Sequence, residues 1–164
     1  MTNVRYHATR QTRLGPIFML ASQEGLHALG FEDAVRASDS NAPADVVSLF
    51  DRVAFVLSDG DEHDLPLAPH GTPFQRKVWA LLRAIPKGST RTYGELATDL
   101  GMSNGARAVG SANGANPIAV LIPCHRVIAS DGTLGGYAYG VEMKRRLLEE
   151  EGVVIAADRQ PALL

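Results

Sequence analysis

The chain holds a single cysteine, Cys124, in 164 residues. That scarcity excludes an internal disulfide and any zinc site built from several thiolates, and it fits a reducing compartment. Charge of neither sign dominates, because 16 lysines and arginines face 18 aspartates and glutamates for a formal net charge of −2. A polyanionic partner would therefore have to be met by a local basic surface. No apolar run approaches the roughly 20 residues needed to span a bilayer. The N-terminus also lacks the apolar segment of a signal peptide.

What is present reads as a globular chain long enough for one good core or two small domains. Ile17-Phe18-Met19-Leu20 and Leu26-His27-Ala28-Leu29-Gly30-Phe31 read as two strands with Glu24-Gly25 as the hairpin turn, and a further strand is expected near residues 5–8. After a polar loop over residues 37–44, Asp45 is expected to cap a helix. Val46, Val47, Phe50, Val53, Ala54 and Leu57 recur along it at helical spacing. The acidic cluster Asp59, Asp61 and Glu62 reads as a solvated loop, not a metal site. A linker at residues 69–71 divides an N-terminal α/β domain, 1–70, from a second domain, 71–164.

The second domain reads as mostly helical. Thr72-Pro73-Phe74-Gln75 is a capping box with proline at the first helical position, and Phe74, Val78, Leu81, Leu82 and Ile85 follow on one face with Trp79 beside them as a core residue. Pro86-Lys87-Gly88 stops that helix. Thr92-Tyr93-Gly94-Glu95 is a second capping box, Gly101 turns the chain, and Ser103 or Asn104 is expected to cap a third helix over residues 106–113. Two short helices joined by a glycine-containing turn read as helix-turn-helix. The fold class expected is α+β: a small N-terminal antiparallel sheet with a helix, then a winged-helix-like helix-turn-helix domain. Ala106, Ala108, Gly110, Ser111, Ala112 and Gly114 leave the third helix almost bare. Such a slim helix packs tightly against another helix or enters a narrow groove.

Asn116-Pro117-Ile118-Ala119-Val120-Leu121-Ile122-Pro123-Cys124-His125-Arg126-Val127-Ile128 is an apolar run bracketed by prolines and broken off at the thiol. A lone cysteine beside apolar residues is ordinarily a small buried hydrophobe. Here a base and a cation follow at once, and either raises the fraction of thiolate. Residues 134–140 form a glycine-rich loop with Tyr137 and Tyr139, a segment able to set backbone amides and aromatic faces around a flat ligand. A last helix is expected over 141–151, ended by Gly152, with a frayed tail after Ala156. Leu147 and Leu148 mark its inner face, and Glu151 falls between them, toward His125.

Pro123-Cys124-His125-Arg126-Val127-Ile128 resembles the active-site signature of the O6-alkylguanine-DNA alkyltransferases, the methylated-DNA–protein-cysteine methyltransferases. The resemblance extends in order through Gly71-Thr72-Pro73-Phe74-Gln75, Val78-Trp79, Ile85-Pro86, Tyr93-Gly94-Glu95-Leu96-Ala97, Arg107-Ala108-Val109-Gly110, Asn116-Pro117-Ile118, Gly136-Tyr137, Lys144-Arg145 and Leu147-Leu148 to Glu151-Gly152. It covers about half the chain. The N-terminal half is similar only through Leu14-Gly15-Pro16 and Glu24-Gly25-Leu26.

The resemblance implies a single-turnover displacement in which Cys124 takes the alkyl group from O6-alkylguanine, and more weakly from O4-alkylthymine, in double-stranded DNA. It implies a relay from Glu151 through His125 to the thiol by way of a water, a proton donor toward the base in Tyr93, and Asn116 bracing the turn that holds Cys124. Val127 would offer its carbonyl to the base amine, and Gly136, Tyr137 and the backbone of Ala138 would line the pocket. The slim helix would enter the minor groove, only ~6 Å wide, through Ala106, Gly110, Ser111 and Asn113. Arg107 would fill the gap left by the flipped nucleotide. No cofactor or metal is implied, and the expected protein is a monomer, cytoplasmic or nucleoid-associated. Two rivals differ in class. A non-catalytic damage sensor of the alkyltransferase-like type typically carries tryptophan where Cys124 stands. A cysteine hydrolase would need a second candidate histidine near the match.

Overall fold

The computed structural model describes residues 3–31, 38–59 and 64–155. Residues 60–63 of the acidic cluster and the tail from residue 156 lie outside them. The chain forms two compact units, Met1–His70 with Pro117–Ala119, and Gly71–Asn116 with Val120–Leu164. The mixed α+β class expected from the sequence is the one found.

In the first unit, β1 (Tyr6–Thr12), β2 (Gly15–Ser22) and β3 (Gly25–Gly30) make an antiparallel sheet in the order β1-β2-β3. The first strand is longer than expected because its pairing with β2 runs from Tyr6↔Ala21 to Thr12↔Gly15. The second hairpin turns at Gln23 and Glu24, one residue earlier than expected. Gly25 already belongs to the strand, at φ +137°, where a Cβ would lie 2.5 Å from the Pro66 carbonyl oxygen. Helix α1 (Ala44–Asp59) covers the sheet with Val46, Leu49, Phe50, Val53, Val56 and Leu57. Asp45 is not its cap. The Pro43 carbonyl already accepts the Val47 N–H at 3.0 Å, so Asp45 sits inside the first turn. The outer edge of β3 is closed by two extended pieces of chain, through the bridges Leu26↔Leu67 and Leu29↔Ile118. Covering an edge in this way satisfies its backbone groups and removes a site for unwanted strand pairing.

The second unit starts with α2 (Pro73–Arg83), whose N-terminus is locked reciprocally: Gln75 N–H donates to Thr72 Oγ1 at 3.1 Å and Thr72 N–H to Gln75 Oε1 at 2.9 Å. Trp79 is a core residue, donating from Nε1 to the Ala112 carbonyl at 2.9 Å. Its ring lies so close to Gly71 that a Cβ there would come within 2.4 Å. After β4 (Arg91–Thr92), the second capping box opens α3 (Tyr93–Asp99), and α4 (Ala106–Gly114) follows. Neither Ser103 nor Asn104 caps α4. The cap position is Gly105, without a side-chain hydrogen bond, wedged where a Cβ would lie 2.6 Å from Met102 Cβ. A one-turn 3₁₀ helix, Cys124–Arg126, runs into β5 (Val127–Ile128), which pairs in parallel with β4, and α5 (Val141–Glu150) ends the unit. Among the described residues no helix is long and apolar enough to cross a membrane.

Removing one half of a capping box leaves a helix-end donor without its side-chain partner, at a cost of about 1 kcal/mol. Thr72→Ala should therefore lower the melting temperature by roughly 2–4 °C for a chain of this size. Thr72→Ser should restore most of it in the same thermal melt.

Candidate active site

The cysteine is placed by a proline. Pro123 has φ −82° and ψ 65°, the geometry of an inverse γ-turn, and the Cys124 N–H closes it on the Ile122 carbonyl at 2.8 Å. Proline suits the central position because its ring fixes φ near this value and the turn asks nothing of its missing N–H. Asn116 Nδ2 donates to that same Ile122 carbonyl at 2.7 Å. The Asn116 side chain also reaches the thiol, so it braces both the turn and the sulfur. Cys124 is 7% exposed.

His125 is fully buried, and its Nε2 lies 2.8 Å from Glu151 Oε1. A carboxylate low in the pH range can only accept, so the imidazole carries its proton on Nε2 and leaves Nδ1 as the acceptor. Nδ1 has no hydrogen-bond partner among the described residues. Glu151 is held well below the usual carboxylate range, at about 2: burial opposes ionisation, but the hydrogen bonds and charges of His125 and Arg126 outweigh it.

The thiol behaves in the opposite way. Burial pushes Cys124 up, and the Asn116 hydrogen bond and the Lys144 charge offset this only in part. The rise in thiolate fraction expected from the neighbouring base and cation is opposed by burial, the largest influence on the sulfur. Burial favours the protonated sulfur, and His125, the next residue, keeps Nδ1 open as an acceptor.

Tyr93, the first residue of α3, is brought to the site because β4 and β5 pair Arg91 with Val127 and Thr92 with Ile128. Its ring is flanked by two glycines: a Cβ at Gly110 would lie 3.8 Å from Cδ1, and one at Gly135 only 3.2 Å from Oη. Burial first, and Cys124 second, raises the phenol, so it stays a proton donor. Tyr137 is raised by the same two causes, its Oη is buried without a partner among the described residues, and its ring meets Tyr139 edge-on at 5.8 Å. Gly136 and Ala138 are exposed on the same loop.

On α4, Ala106, Arg107 and Ser111 are exposed and Gly110 is half-buried. Asn113 departs from the expectation that it faces DNA. It is buried with Val109 and Ala112, the inner face of α4, and its Nδ2 approaches the Cys124 carbonyl at 3.4 Å. The error came from treating the whole slim helix as one surface.

Two buried cations hold places that the sequence did not assign them. Lys144 is completely buried, and its ammonium donates to the carbonyls of Val127 at 2.7 Å, Gly136 at 3.3 Å and Leu134. Desolvation pushes it down to about 8, against the raising effect of Cys124. The Val127 carbonyl expected to receive the base amine is therefore already engaged, with one lone pair left. Lys144 lies three and four residues before Leu147 and Leu148, and that spacing was the available signal. The other is Arg126, buried against Glu151.

The second unit thus combines a helix-turn-helix with a buried cysteine, a histidine with one open nitrogen and a buried carboxylate. Comparison with known proteins gives the particular family. Residues 73–153 match the 6-O-methylguanine DNA methyltransferase DNA-binding domain. A methylated-DNA–protein-cysteine methyltransferase of Methanosarcina acetivorans is 40% identical over 90% of this chain and 98% of its own length. The solved O6-methylguanine methyltransferase of Mycobacterium tuberculosis is 37% identical and covers 94% of this chain and 97% of its own, with a TM-score of 0.74. The Mycobacterium tuberculosis OGT in complex with DNA is 39% identical over 88% of this chain and 91% of its own, with a TM-score of 0.72. The chain belongs to the methylated-DNA–protein-cysteine methyltransferase family.

A buried thiol with a raised pKa should react slowly with a small soluble alkylating agent. An ordinary thiol of pKa ~8.5 is about 3% ionised at pH 7. Labelling of Cys124 by iodoacetamide should be slower than that of free cysteine at pH 7 and should rise with pH to a midpoint above that of free cysteine. A midpoint below that of free cysteine would mean a resting thiolate.

Proposed function

We propose that this protein repairs alkylated DNA by moving the alkyl group of O6-alkylguanine, and more weakly of O4-alkylthymine, onto Cys124 Sγ. The observation that carries the reading is the buried Cys124 beside a histidine whose Nε2 is held by Glu151, leaving Nδ1 open. In the displacement the S–C bond forms as the C–O6 bond breaks, and the electron pair leaves with the base. The thiol proton moves toward His125 Nδ1 by way of a water, and Tyr93 gives its hydroxyl proton toward the departing base. Net, guanine gains the proton that the thiol lost. Tyr93 regains its own in the same balance, and Sγ ends as a thioether.

The acceptor is consumed, so each molecule acts once. In this reading residues 71–164 are the DNA-binding and alkyl-acceptor domain. A base stacked in the duplex cannot present its O6 to a buried sulfur, so the nucleotide is flipped out. The exposed small residues of α4 lie in the minor groove, with Arg107 in the vacated place. Gly136, Tyr137 and the backbone of Ala138 form the wall against which the base rests. The protein works as a monomer in the cytoplasm or on the nucleoid.

Incubation with duplex DNA containing O6-methylguanine should add one methyl mass to the protein, at Cys124, and stop near one equivalent. Cys124→Ser should add none. Several turnovers per molecule would point to a hydrolase, and binding without mass gain to a damage sensor. Arg107→Ala should slow repair of duplex DNA by about tenfold or more, as for loss of a group that stabilises an extruded nucleotide worth a few kcal/mol. Reaction with free O6-benzylguanine should stay within about twofold, since a free base needs no extrusion. Equal losses on both substrates would place Arg107 in the fold.

A further inference from the structure

We propose that Arg126 is a positioning residue of the alkyl transfer, fixing which nitrogen of His125 is open to receive the thiol proton. The inference rests on the reading of Cys124 as the alkyl acceptor. Arg126 is 3% exposed and follows His125 in the same 3₁₀ turn. Its Nε donates to Glu151 Oε2 at 2.9 Å and its Nη2 to Glu151 Oε1 at 2.9 Å, a two-pronged pairing that sets the plane of the carboxylate as well as its place. Nη1 donates to the Ile85 carbonyl at 2.7 Å, which ties the guanidinium to the chain just beyond α2.

The carboxylate so fixed spends Oε1 on two donors, Arg126 Nη2 and His125 Nε2. His125 can meet it only with an Nε2–H, and Nδ1 is left as the acceptor. The guanidinium also opposes the carboxylate charge. An unopposed buried carboxylate would draw a proton onto the imidazole–carboxylate pair, and the pair could then no longer accept one from the thiol. The charged and titratable groups facing Glu151 are His125 and Arg126 of the turn and Tyr137 of the loop. Lys144, on α5 itself, is spent on the three carbonyls. Arg126 is therefore the one positive group that contacts Glu151 directly among the described residues.

The test is the pH dependence of single-turnover methyl transfer to the full-length protein, for Arg126→Gln and Arg126→Lys, with saturating O6-methylguanine duplex. Removing the opposing charge makes the His125–Glu151 pair hold a proton to higher pH, so the acid limb of the rate moves up. In Arg126→Gln a limb displaced by at least one pH unit is expected, about a tenfold loss at a pH on that limb, with recovery at higher pH. Arg126→Lys keeps the charge and should hold the limb near its original place while losing rate uniformly. A limb in Arg126→Gln that superimposes on that of the unmodified protein overturns the inference, whatever the fall in rate. Nitrogen NMR of His125 gives a second readout: an Nε2–H tautomer in the unmodified protein that is lost or mixed in Arg126→Gln supports the inference, and an Nδ1–H tautomer in the unmodified protein, or the same Nε2–H tautomer in both, overturns it. Absence of methyl transfer to the unmodified protein would instead overturn the functional reading itself.

Discussion

The site depends on one carboxylate kept charged out of water. Glu151 is 10% exposed at its side chain and survives as an anion because two residues of a single 3₁₀ turn, His125 and Arg126, donate to it three times. Breaking such a network by removing one partner strands a buried charge, which typically costs about 3–5 kcal/mol. The carboxylate in turn dictates the tautomer of His125. The end of α5, where Glu151 forms the C-cap with its N–H on the Leu147 and Leu148 carbonyls, thus orients His125, the residue after the cysteine.

A second buried charge organises the opposite side. Lys144 gathers the carbonyls of Val127, Leu134 and Gly136, from β5 and the glycine-rich loop, around one ammonium. A fully buried lysine is tolerated only when its donors are met, and three carbonyls meet the three hydrogens. The loop that would face the base is therefore pinned from beneath, and its glycines leave room for the Tyr93 hydroxyl above Gly135. Lys144 lowers the Cys124 thiol directly, while Glu151 holds His125, the residue that follows it.

Local rules made much of the fold legible. Both capping boxes, Thr72–Gln75 and Thr92–Glu95, stand as read, because their donors and acceptors are all within four residues. The helix-turn-helix and the hairpin of β2 and β3 followed from spacing in the same way. The misreadings fall at element ends, where a neighbouring residue takes the cap and distant contact decides only at Gly25. Asp45 lost its cap to Pro43, Ser103 and Asn104 lost theirs to a glycine packed under Met102, and the Gln23-Glu24 turn was set by the approach of Pro66 to Gly25. At the site, Cys124, His125 and Glu151 could be placed by helical phase and adjacency. Lys144 and Arg126 could not be assigned from composition, since charged residues are ordinarily solvated and only their partners, distant in sequence, bring them inside.

The protection of the thiol is consistent with an acceptor used once. A permanently ionised, accessible cysteine would be the residue most open to oxidation, and an oxidised sulfur could not accept an alkyl group. Burial of Cys124 favours the neutral sulfur and limits access to it, which protects against that loss at the cost of intrinsic reactivity. On the proposed mechanism reactivity arrives with the substrate, through the open nitrogen of His125 and the proton offered by Tyr93, both of which matter only when a leaving group is in place. A reusable enzyme gains from a standing nucleophile because turnover repeats the benefit. A protein that forms a single irreversible bond gains more from withholding the nucleophile until the lesion itself completes the site.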